Sequence, residues 1–239
     1  MRLDKLLADR GYGTRKEIKK LLQKNSAIIN GVPTKDGSAK VVVDDRVEFL
    51  GDVISCESMI YYLFHKPAGC VCANEDALHP TIFHYIPNPR NQLFSVGRLD
   101  IDTEGLLLIT NDGVLAHNLL SPRHHVDKVY YARLDHAITE ADIQAFQAGL
   151  DIGDDTNTMP ADLSPANEAG DEIYVTIKEG RYHQVKRMFE ARGNAVCYLK
   201  RMSMGPFVLD DTLPAGSYRP LTPEEMELLS DYTNQSEES

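Results

Sequence analysis

The stretch that decides the fold covers residues 95–105, SVGRLDIDTEG, which run directly into the apolar LLLIT of residues 106–110. Gly97 and Gly105 allow tight turns or close backbone approach. The apolar run predicts a buried strand. The three acidic side chains between the glycines cannot all be buried without partners. One interpretation is a loop that presents a carboxylate, kept ionised by a nearby cation. The other is an acidic turn, capped locally by Asp102 or Thr103.

Outward from this segment, strand patterns and helix patterns follow one another without regular alternation. Strands are predicted at 61–64, 130–134, 173–177 and 197–199. Helices are predicted at 114–120, 139–148 and 184–192, and from Thr222 onward. The irregular order favours an α+β fold on a mixed sheet over a parallel, doubly wound sheet.

The first 50 residues predict two helices followed by a small sheet. The first helix lies within residues 2–10, and Thr14 and Glu17 form a capping box for the second. Short strands are predicted at 27–29, 41–43 and 47–49, with a hairpin turn at Asn30-Gly31. Residues 51–58 lack periodicity and predict a linker. The second helix is strongly basic, which fits either a nucleic-acid contact or a solvated face.

The net charge of −11 is distributed unevenly. Residues 1–50 carry +4 and residues 51–239 carry −15, so a basic head precedes an acidic body. Within the body, positive charge is concentrated in 123–133 and 178–201, whereas 135–172 holds ten acids and no lysine or arginine. The two basic segments form either a positive cleft or ordinary surface ion pairs. We expect the acidic stretch to face away from a polyanion.

Several protein classes are disfavoured by the sequence. No apolar run is long enough to span a bilayer, and the charged N-terminus is unlike a signal peptide. The four cysteines form no paired framework, which fits a reduced, cytoplasmic compartment. Phosphate-loop and dinucleotide-binding glycine motifs are absent, as is histidine or cysteine spacing for a metal. We therefore predict no cofactor, no metal and no membrane partner.

Four ordered motifs give the sequence a specific resemblance. Residues 97–107, GRLDIDTEGLL, resemble the active-site motif of pseudouridine synthases. Residues 128–130, KVY, are similar to the family's Lys-x-Tyr strand, and residues 179–189, EGRYHQVKRMF, to its third active-site motif. Residues 66–69, KPAG, match the strand and turn that open the catalytic domain. The N-terminal part resembles an S4 RNA-binding domain.

The resemblance implies an organisation and an activity. It implies an S4-like domain at 1–56, a catalytic domain at 59–232 on a mixed, mainly antiparallel sheet with flanking helices, and an acidic tail at 233–239. Residues 120–125, LSPRHH, look most like the branch that acts on the small ribosomal subunit. The implied reaction is cofactor-free isomerisation of one uridine of 16S rRNA, the 516-type uridine. The alternatives are a 23S rRNA synthase of the same family and a non-catalytic S4-domain assembly factor.

The resemblance also assigns site residues. Asp100 is implied as the catalytic carboxylate, and Lys186 as the cation that keeps it ionised. Tyr130 is implied as the ring that stacks on the uracil. The target base must leave its stack, and Arg98 is expected to fill the vacated space or hold the displaced backbone. In many relatives an arginine occupies the position of Lys186. The lysine of this chain keeps the positive charge but lacks the planar guanidinium that can form two parallel hydrogen bonds.

RNA contacts are expected from both parts of the chain, and a monomer is the default. Contacts to the phosphate backbone position a substrate without reading its bases. The candidates for RNA binding are Arg2, Arg15, Lys16, Lys19, Lys20, Arg123, Lys128, Arg181 and Arg187.

Overall fold

The computed structural model describes residues 1–10, 12–54, 56, 59–88, 93–121 and 124–233. The chain divides into two compact units. The first comprises Met1–Ile60 together with Pro87–Phe94, and the second comprises Tyr61–Ile86 and the chain from Ser95 onward. Apart from Thr233, the predicted acidic tail lies outside the described residues.

The first unit contains two helices and a four-stranded sheet. Its elements are α1 (Leu3–Asp9), α2 (Arg15–Lys24), β1 (Ala27–Ile29), β2 (Val32–Thr34), β3 (Val47–Phe49) and β4 (Asp52–Ile54). The strand order is β2-β1-β3-β4, and every pairing along it is antiparallel. The predicted hairpin turn is confirmed, because Asn30 and Gly31 both have positive φ, as a tight primed turn requires.

Helix α2 begins at the predicted capping box. The Thr14 hydroxyl accepts a hydrogen bond from the Glu17 amide at 3.4 Å, and the Glu17 carboxylate accepts one from the Thr14 amide at 2.8 Å. Both bonds satisfy amides that a helix start leaves free. Ile18 and Leu22 are buried in the core of this unit. The apolar face of α2 is therefore covered, and its lysines are exposed.

Two predictions for this unit are wrong. Residues 41–43 form no strand, since Val42 and Val43 are exposed and the Asp45 carboxylate accepts a hydrogen bond from the Val42 amide at 2.8 Å. This local bond favours a turn over a ladder. Within the predicted linker 51–58, Asp52–Ile54 is instead an edge strand paired with β3.

The second unit is built on one large sheet with helices. Its elements are β5 (Tyr61–Lys66), β6 (Phe94–Ser95), β7 (Glu104–Thr110), α3 (Gly113–Leu120), β8 (Lys128–Leu134), α4 (Glu140–Ala148), β9 (Asp162–Pro165), β10 (Glu172–Ile177), α5 (Gln184–Glu190), β11 (Val196–Met204), β12 (Phe207–Val208), β13 (Tyr218–Pro220) and α6 (Pro223–Thr233), with a 3₁₀ turn at Ile82–His84. The sheet has nine strands in the order β13-β5-β7-β11-β8-β10-β9, with β12 beside β11 and β6 beside β7.

The sheet is mixed and mainly antiparallel, as predicted. Along the order given, only β7 and β11 run parallel among the described strands. Strand β7 is buried along nearly its whole length, which fits its continuous apolar run. Gly105 lies within this contact with φ of +109°, and a β-carbon there would lie 2.3 Å from the Arg201 carbonyl oxygen. Only glycine allows the two backbones to approach so closely.

Strands β8 and β11 have one buried and one more open face. Lys128, Tyr130 and Ala132 alternate with more exposed residues along β8. Arg201 pairs with Tyr130 and therefore lies on the same face as it. The β8–β11 ladder shifts register between Val196 and Tyr198, and Cys197 is exposed at that shift.

Candidate active site

The loop before β7 is held by a lysine from β5. The Lys66 side chain is fully buried, and its ammonium donates to the carbonyl oxygens of Asp100 and Thr103, both at 2.9 Å, and of Pro67 at 3.1 Å. Burial lowers the pKa of Lys66. The backbone around Asp100 is therefore fixed by one cation that satisfies several carbonyl groups at once.

The same loop forms one wall of an open cavity of about 110 Å³. The cavity contains charged groups from four segments of the second unit. Its lining includes Arg98, Asp100, Lys128, Tyr130, Arg181, His183, Lys186 and Arg201. The predicted convergence of the two basic segments is thus observed for Lys128, Arg181, Lys186 and Arg201. A concave site with converging titratable groups is the usual form of a small-molecule or base-binding site.

Asp100 lies among basic groups. Its carboxylate is 3.1 Å from the Lys186 ammonium and 3.4 Å from the His183 Nε2 atom. Lys186 also binds Asp102 at 2.6 Å. Burial opposes the charge on Lys186, but the hydrogen bonds that its ammonium donates to Asp102 and Asp100 outweigh this effect and raise the pKa of the lysine. Lys186 therefore stays protonated, and its positive charge lies directly against the Asp100 carboxylate.

Asp102 shares the lysine with Asp100 instead of capping the loop. Burial would raise the pKa of Asp102, and the hydrogen bond from Lys186 more than offsets this, so the pKa is lowered. The side chain of Asp102 is 67% exposed, whereas that of Asp100 is 24% exposed. Of the two carboxylates, Asp100 is the one that lines the cavity.

Helix α5 begins at a tightly bonded turn. Gln184 is buried, and its side-chain oxygen accepts from the Arg181 amide at 2.9 Å while its amide donates to Glu179 at 3.1 Å. His183 has φ of +48° and stacks on Tyr182, with ring centroids 3.8 Å apart. This turn aims His183 and Lys186 at Asp100.

One loop of the acidic stretch lies against side chains of the second basic segment, and the orientation of the stretch toward RNA stays a prediction. Asp154 forms ion pairs with Arg187 at 2.6 Å and with Arg181 at 3.4 Å. Arg181 also donates to the carbonyl oxygens of Thr156 and Asn157. Both arginines are bonded to this loop in the structure. Their contact with RNA stays a prediction, and it would require them to break these bonds and bind phosphate instead. Neighbouring side chains of α5 point in different directions, because Lys186 reaches Asp100 and Arg187 reaches Asp154.

The inner end of the cavity is formed by β8 and β11. Tyr130 is 7% exposed and lines the cavity with Asp100. Lys128 is also buried, and its ammonium donates to the Val126 carbonyl oxygen at 2.7 Å. Burial, and then the charge of Arg201, lower the pKa of Lys128 to about 8. Lys128 is thus an interior cation, whereas the sequence pointed to a general RNA contact.

The remaining predicted site residues that the structure describes are exposed. Arg98 is exposed at the cavity. In the first unit, the four α2 residues predicted to bind RNA are exposed, and the Arg2 guanidinium is held by Asp4 at 2.7 Å. Arg123 lies outside the described residues. The α2 group comprises Arg15, Lys16, Lys19 and Lys20.

Sequence reasoning misses three residues of the site. The motifs contain Lys66 and His183 without giving either residue a role, and Arg201 ends a basic segment without being singled out. Strand alternation could have placed Arg201 on the face of the predicted strand opposite to Lys200. No local signal could have shown that Lys66 binds a loop 34 residues away.

The residues that the structure describes offer neither a metal site nor a membrane-spanning helix. No group of three or more histidine, cysteine, aspartate or glutamate side chains within the described ranges is arranged to hold a metal ion. None of the helices in the described part is long and apolar enough to cross a membrane.

A family model described as RNA pseudouridylate synthase matches residues 60–191, a range that contains Asp100, Tyr130 and Lys186. The chain belongs to the RNA pseudouridylate synthase family. The synthase is 45% identical over 236 residues to an uncharacterized RNA pseudouridine synthase of Bacillus subtilis named YtzG, covering 97% of this chain and 99% of that one.

Other relatives extend the match over both units of the synthase. The ribosomal small subunit pseudouridine synthase A of Vibrio parahaemolyticus is 42% identical, covering 95% of this chain and 98% of that protein. The counterpart of the same name from Haemophilus influenzae is 40% identical, covering 96% and 99%. A crystal structure of a pseudouridylate synthase is 40% identical with a TM-score of 0.68, covering 96% of this chain and 99% of that chain.

Proposed function

We propose that this synthase converts one specific uridine of 16S rRNA to pseudouridine, with Asp100 as the catalytic carboxylate. The single observation that carries the proposal is the Asp100 carboxylate, which lines the cavity 3.1 Å from a lysine that stays protonated. A carboxylate must be ionised to act as a nucleophile or a base. Tyr130, in the same cavity, supplies a ring on which a base could stack.

The reaction explains why such a site suffices. The bond from the ribose C1′ to N1 of uracil breaks, the base turns, and C5 joins C1′. The proton on C5 is released and N1 gains one, so that no atom is added or lost overall. The change needs neither a redox partner nor a phosphate donor, and side chains alone supply its acid–base chemistry. We therefore propose a cofactor-free mechanism.

The roles of the surrounding groups follow from their positions. Lys186 orients Asp100 and supplies a positive charge beside it, since it bonds to that carboxylate directly. A uridine in folded RNA must leave its stack to enter the cavity. Arg98 is exposed at the cavity and is suited to fill the vacated space. The basic helix α2 of the first unit would bind the phosphate backbone of the same RNA.

The names of the relatives support a small-subunit target. Proteins that are 40–42% identical to nearly the whole chain are named small subunit pseudouridine synthase A. We accordingly propose the 516-type uridine as the target, in the cytoplasm, on 16S rRNA or an assembly intermediate. The alternative is a target in 23S rRNA, and experiment must distinguish it from the 16S target. A non-catalytic assembly factor gives no reason for Asp100, Tyr130 and Lys186 to share a cavity.

Substitution of the two acidic residues that share Lys186 tests the catalytic assignment. Asp100→Asn should abolish pseudouridine formation on a small-subunit rRNA transcript and leave RNA affinity nearly unchanged. The matched control is Asp102→Asn, which changes a more exposed partner of the same lysine and should keep most activity. Full activity of Asp100→Asn would show that another residue does the chemistry.

The target is tested in a strain that lacks the gene. Pseudouridine mapping of both rRNAs should show one missing modification in 16S rRNA, restored by the wild-type gene and not by Asp100→Asn. A modification lost from 23S rRNA alone would instead support the large-subunit alternative.

A further inference from the structure

The inner end of the cavity contains a buried arginine without a counter-ion. Arg201 is 2% exposed, and its Nε atom donates to the Leu106 carbonyl oxygen at 2.8 Å. Its Nη2 atom is buried and has no hydrogen-bond partner among the residues that the structure describes. No carboxylate in the described part of the chain forms an ion pair with it. An interior charge without a partner is costly, so a guanidinium kept here requires a reason.

A second interior cation lies on the neighbouring strand. Lys128 is 6% exposed and lines the cavity with Arg201. Arg201 pairs across the sheet with Tyr130, two residues from Lys128 on the same face. The repulsion between the two cations contributes to the lowered pKa of Lys128. The positive charges of Arg201 and Lys128 therefore repel each other until a negative charge enters the cavity.

The proposed reaction brings such charge on the base itself. If Asp100 attacks C1′, a carboxylate oxygen bonds to that carbon, and the electron pair of the C1′–N1 bond remains on uracil. If Asp100 removes the proton from C2′, a C1′–C2′ double bond forms and uracil again departs with the electron pair. If Asp100 adds to C6, the π electrons of the C5–C6 bond move onto the O4 enolate. All three routes place negative charge on the uracil ring and its carbonyl oxygens.

We propose that Arg201, assisted by Lys128, stabilises the negative charge that develops on the uracil during isomerisation. This inference rests on the proposed function and adds a residue to it. The ground-state base is neutral, so the interaction strengthens as the transition state is approached, which is the requirement for catalysis. Fixed charges at a buried position act strongly and need no reorganisation at the moment of reaction.

The position of Arg201 favours the base over a backbone phosphate as the recipient. Arg201 is almost fully buried at the cavity, whereas Arg98 lines the same cavity and is exposed. A group must enter the cavity to approach Arg201, and the extruded base is the part of the nucleotide that does so. Phosphates that flank the base remain nearer to solvent and to exposed cations.

The experiment compares substitutions of two adjacent residues of β11 under single-turnover conditions, with enzyme in saturating excess over the rRNA transcript. Arg201→Met should lower the rate of pseudouridine formation by roughly 100- to 1,000-fold, the usual loss for a donor to a developing anion. Its Kd for the RNA should change by less than about threefold, because the uncharged ground state gains little from the guanidinium. Arg201→Lys keeps the charge and should recover part of the rate.

The matched control, Lys200→Met, removes one positive charge from the opposite face of the strand and should retain the wild-type rate.

A second readout separates this role from a structural one. The target uridine is replaced by 5-fluorouridine, and consumption of that nucleotide is measured. Fluorine withdraws electrons and eases the build-up of negative charge on the base, so the loss caused by Arg201→Met should become several-fold smaller. A merely structural defect would reduce the rate with both bases equally. If Arg201→Met does not fold, the same comparison is made with Arg201→Lys.

The inference is overturned by a wild-type rate in Arg201→Met, by a loss confined to RNA affinity, or by equal losses with the two bases. These outcomes leave the proposed function intact as long as the wild-type enzyme forms pseudouridine. Absence of product with the wild-type enzyme and its rRNA overturns the proposed function, and this inference with it.

Discussion

At the scale of single residues, the site depends on buried lysines whose charges have opposite consequences. Lys66 satisfies carbonyl groups of the loop that bears Asp100, and Lys128 lies beside another cation. The first charge stabilises a local structure. The second charge costs stability and is available to a ligand.

Substitution of Lys66 should damage both the fold and the rate. Lys66→Met leaves buried carbonyl oxygens without a donor, at about 1–3 kcal/mol for each one that finds no water. We expect unfolding at lower urea concentration and a reduced single-turnover rate, with RNA affinity retained. The exposed Lys178 is the control, and Lys178→Met should match the wild type in both measurements. An unchanged rate in Lys66→Met would show that the loop does not need this tether.

Lys128 should make stability depend on pH. Its pKa is about 8 in the folded protein and 10.5 in the unfolded chain. Between these values the unfolded chain holds a proton that the folded protein has lost, so stability rises with pH across this window. Lys128→Met should be more stable than the wild type at pH 7, and the difference should shrink as pH approaches 10. Chemical denaturation of both proteins at several pH values measures this difference in stability. A difference that stays constant from pH 7 to pH 10 would contradict the lowered pKa of Lys128.

Sequence reasoning reaches some of these residues and not others, for a physical reason. The motifs predict Asp100 and Lys186 as a pair, and the structure places their charged groups 3.1 Å apart. Lys66 and Arg201 act through contacts with distant backbone and with a cavity. Such contacts leave no periodic or local signal in a single sequence.

At the scale of secondary-structure elements, the close approach of β7 and β11 holds the site together. Gly105 permits this approach, and its pairing partner on β11 is Arg201. The backbone that carries the interior arginine is therefore packed directly against the start of β7, immediately after the loop of Asp100.

Addition of one methyl group at Gly105 should separate these strands. Gly105→Ala combines a clash with backbone at 2.3 Å and a positive φ, and we expect a loss of about 3 kcal/mol or more in unfolding free energy. The control is Gly113→Ala at the start of α3, where a β-carbon would meet nothing within 4 Å. That variant should lie within about 0.5 kcal/mol of the wild type or above it. Equal stability of the two variants, measured by urea denaturation, would contradict the close-contact argument.

The elements that sequence patterns miss are mostly short edge strands. Strand β9 (Asp162–Pro165) and strand β13 (Tyr218–Pro220) lie at the two edges of the large sheet, and β4 lies at an edge of the small one. Edge strands are short and often contain proline or charge, which disfavours further pairing. Their patterns therefore resemble loops. The central strands have continuous apolar or alternating patterns, which predict them correctly.

At the scale of the whole molecule, the distribution of charge matters more than its sum. The chain carries −11 overall, yet the exposed face of α2 is basic. The structure also shows that an acidic loop neutralises Arg181 and Arg187. The sequence could not show this, because it depends on long-range packing of the loop against α5. The assignment of Pro87–Phe94 to the first unit is likewise invisible in the sequence.

Two pairs of charge changes should distinguish local from global electrostatics in RNA binding. Lys16→Gln with Lys19→Gln removes two exposed cations from α2, whereas Lys178→Gln with Lys200→Gln removes two from the second unit. The net charge changes equally. We expect the α2 pair to weaken RNA binding and to reduce the slope of log K against log salt by about 0.7–0.9 for each phosphate that is no longer neutralised. Equal slopes for the two double variants would exclude α2 as a phosphate-binding face.

The register shift in β11 has a practical consequence for experiments on this enzyme. Cys56 and Cys70 are buried, Cys72 is partly covered, and Cys197 is exposed where the shift occurs. A thiol-reactive fluorophore should therefore attach first to Cys197 without any prior mutation. Its position four residues before Arg201 makes the dye a reporter on the same strand that borders the cavity. Fluorescence changes on mixing with rRNA could then follow substrate docking in real time.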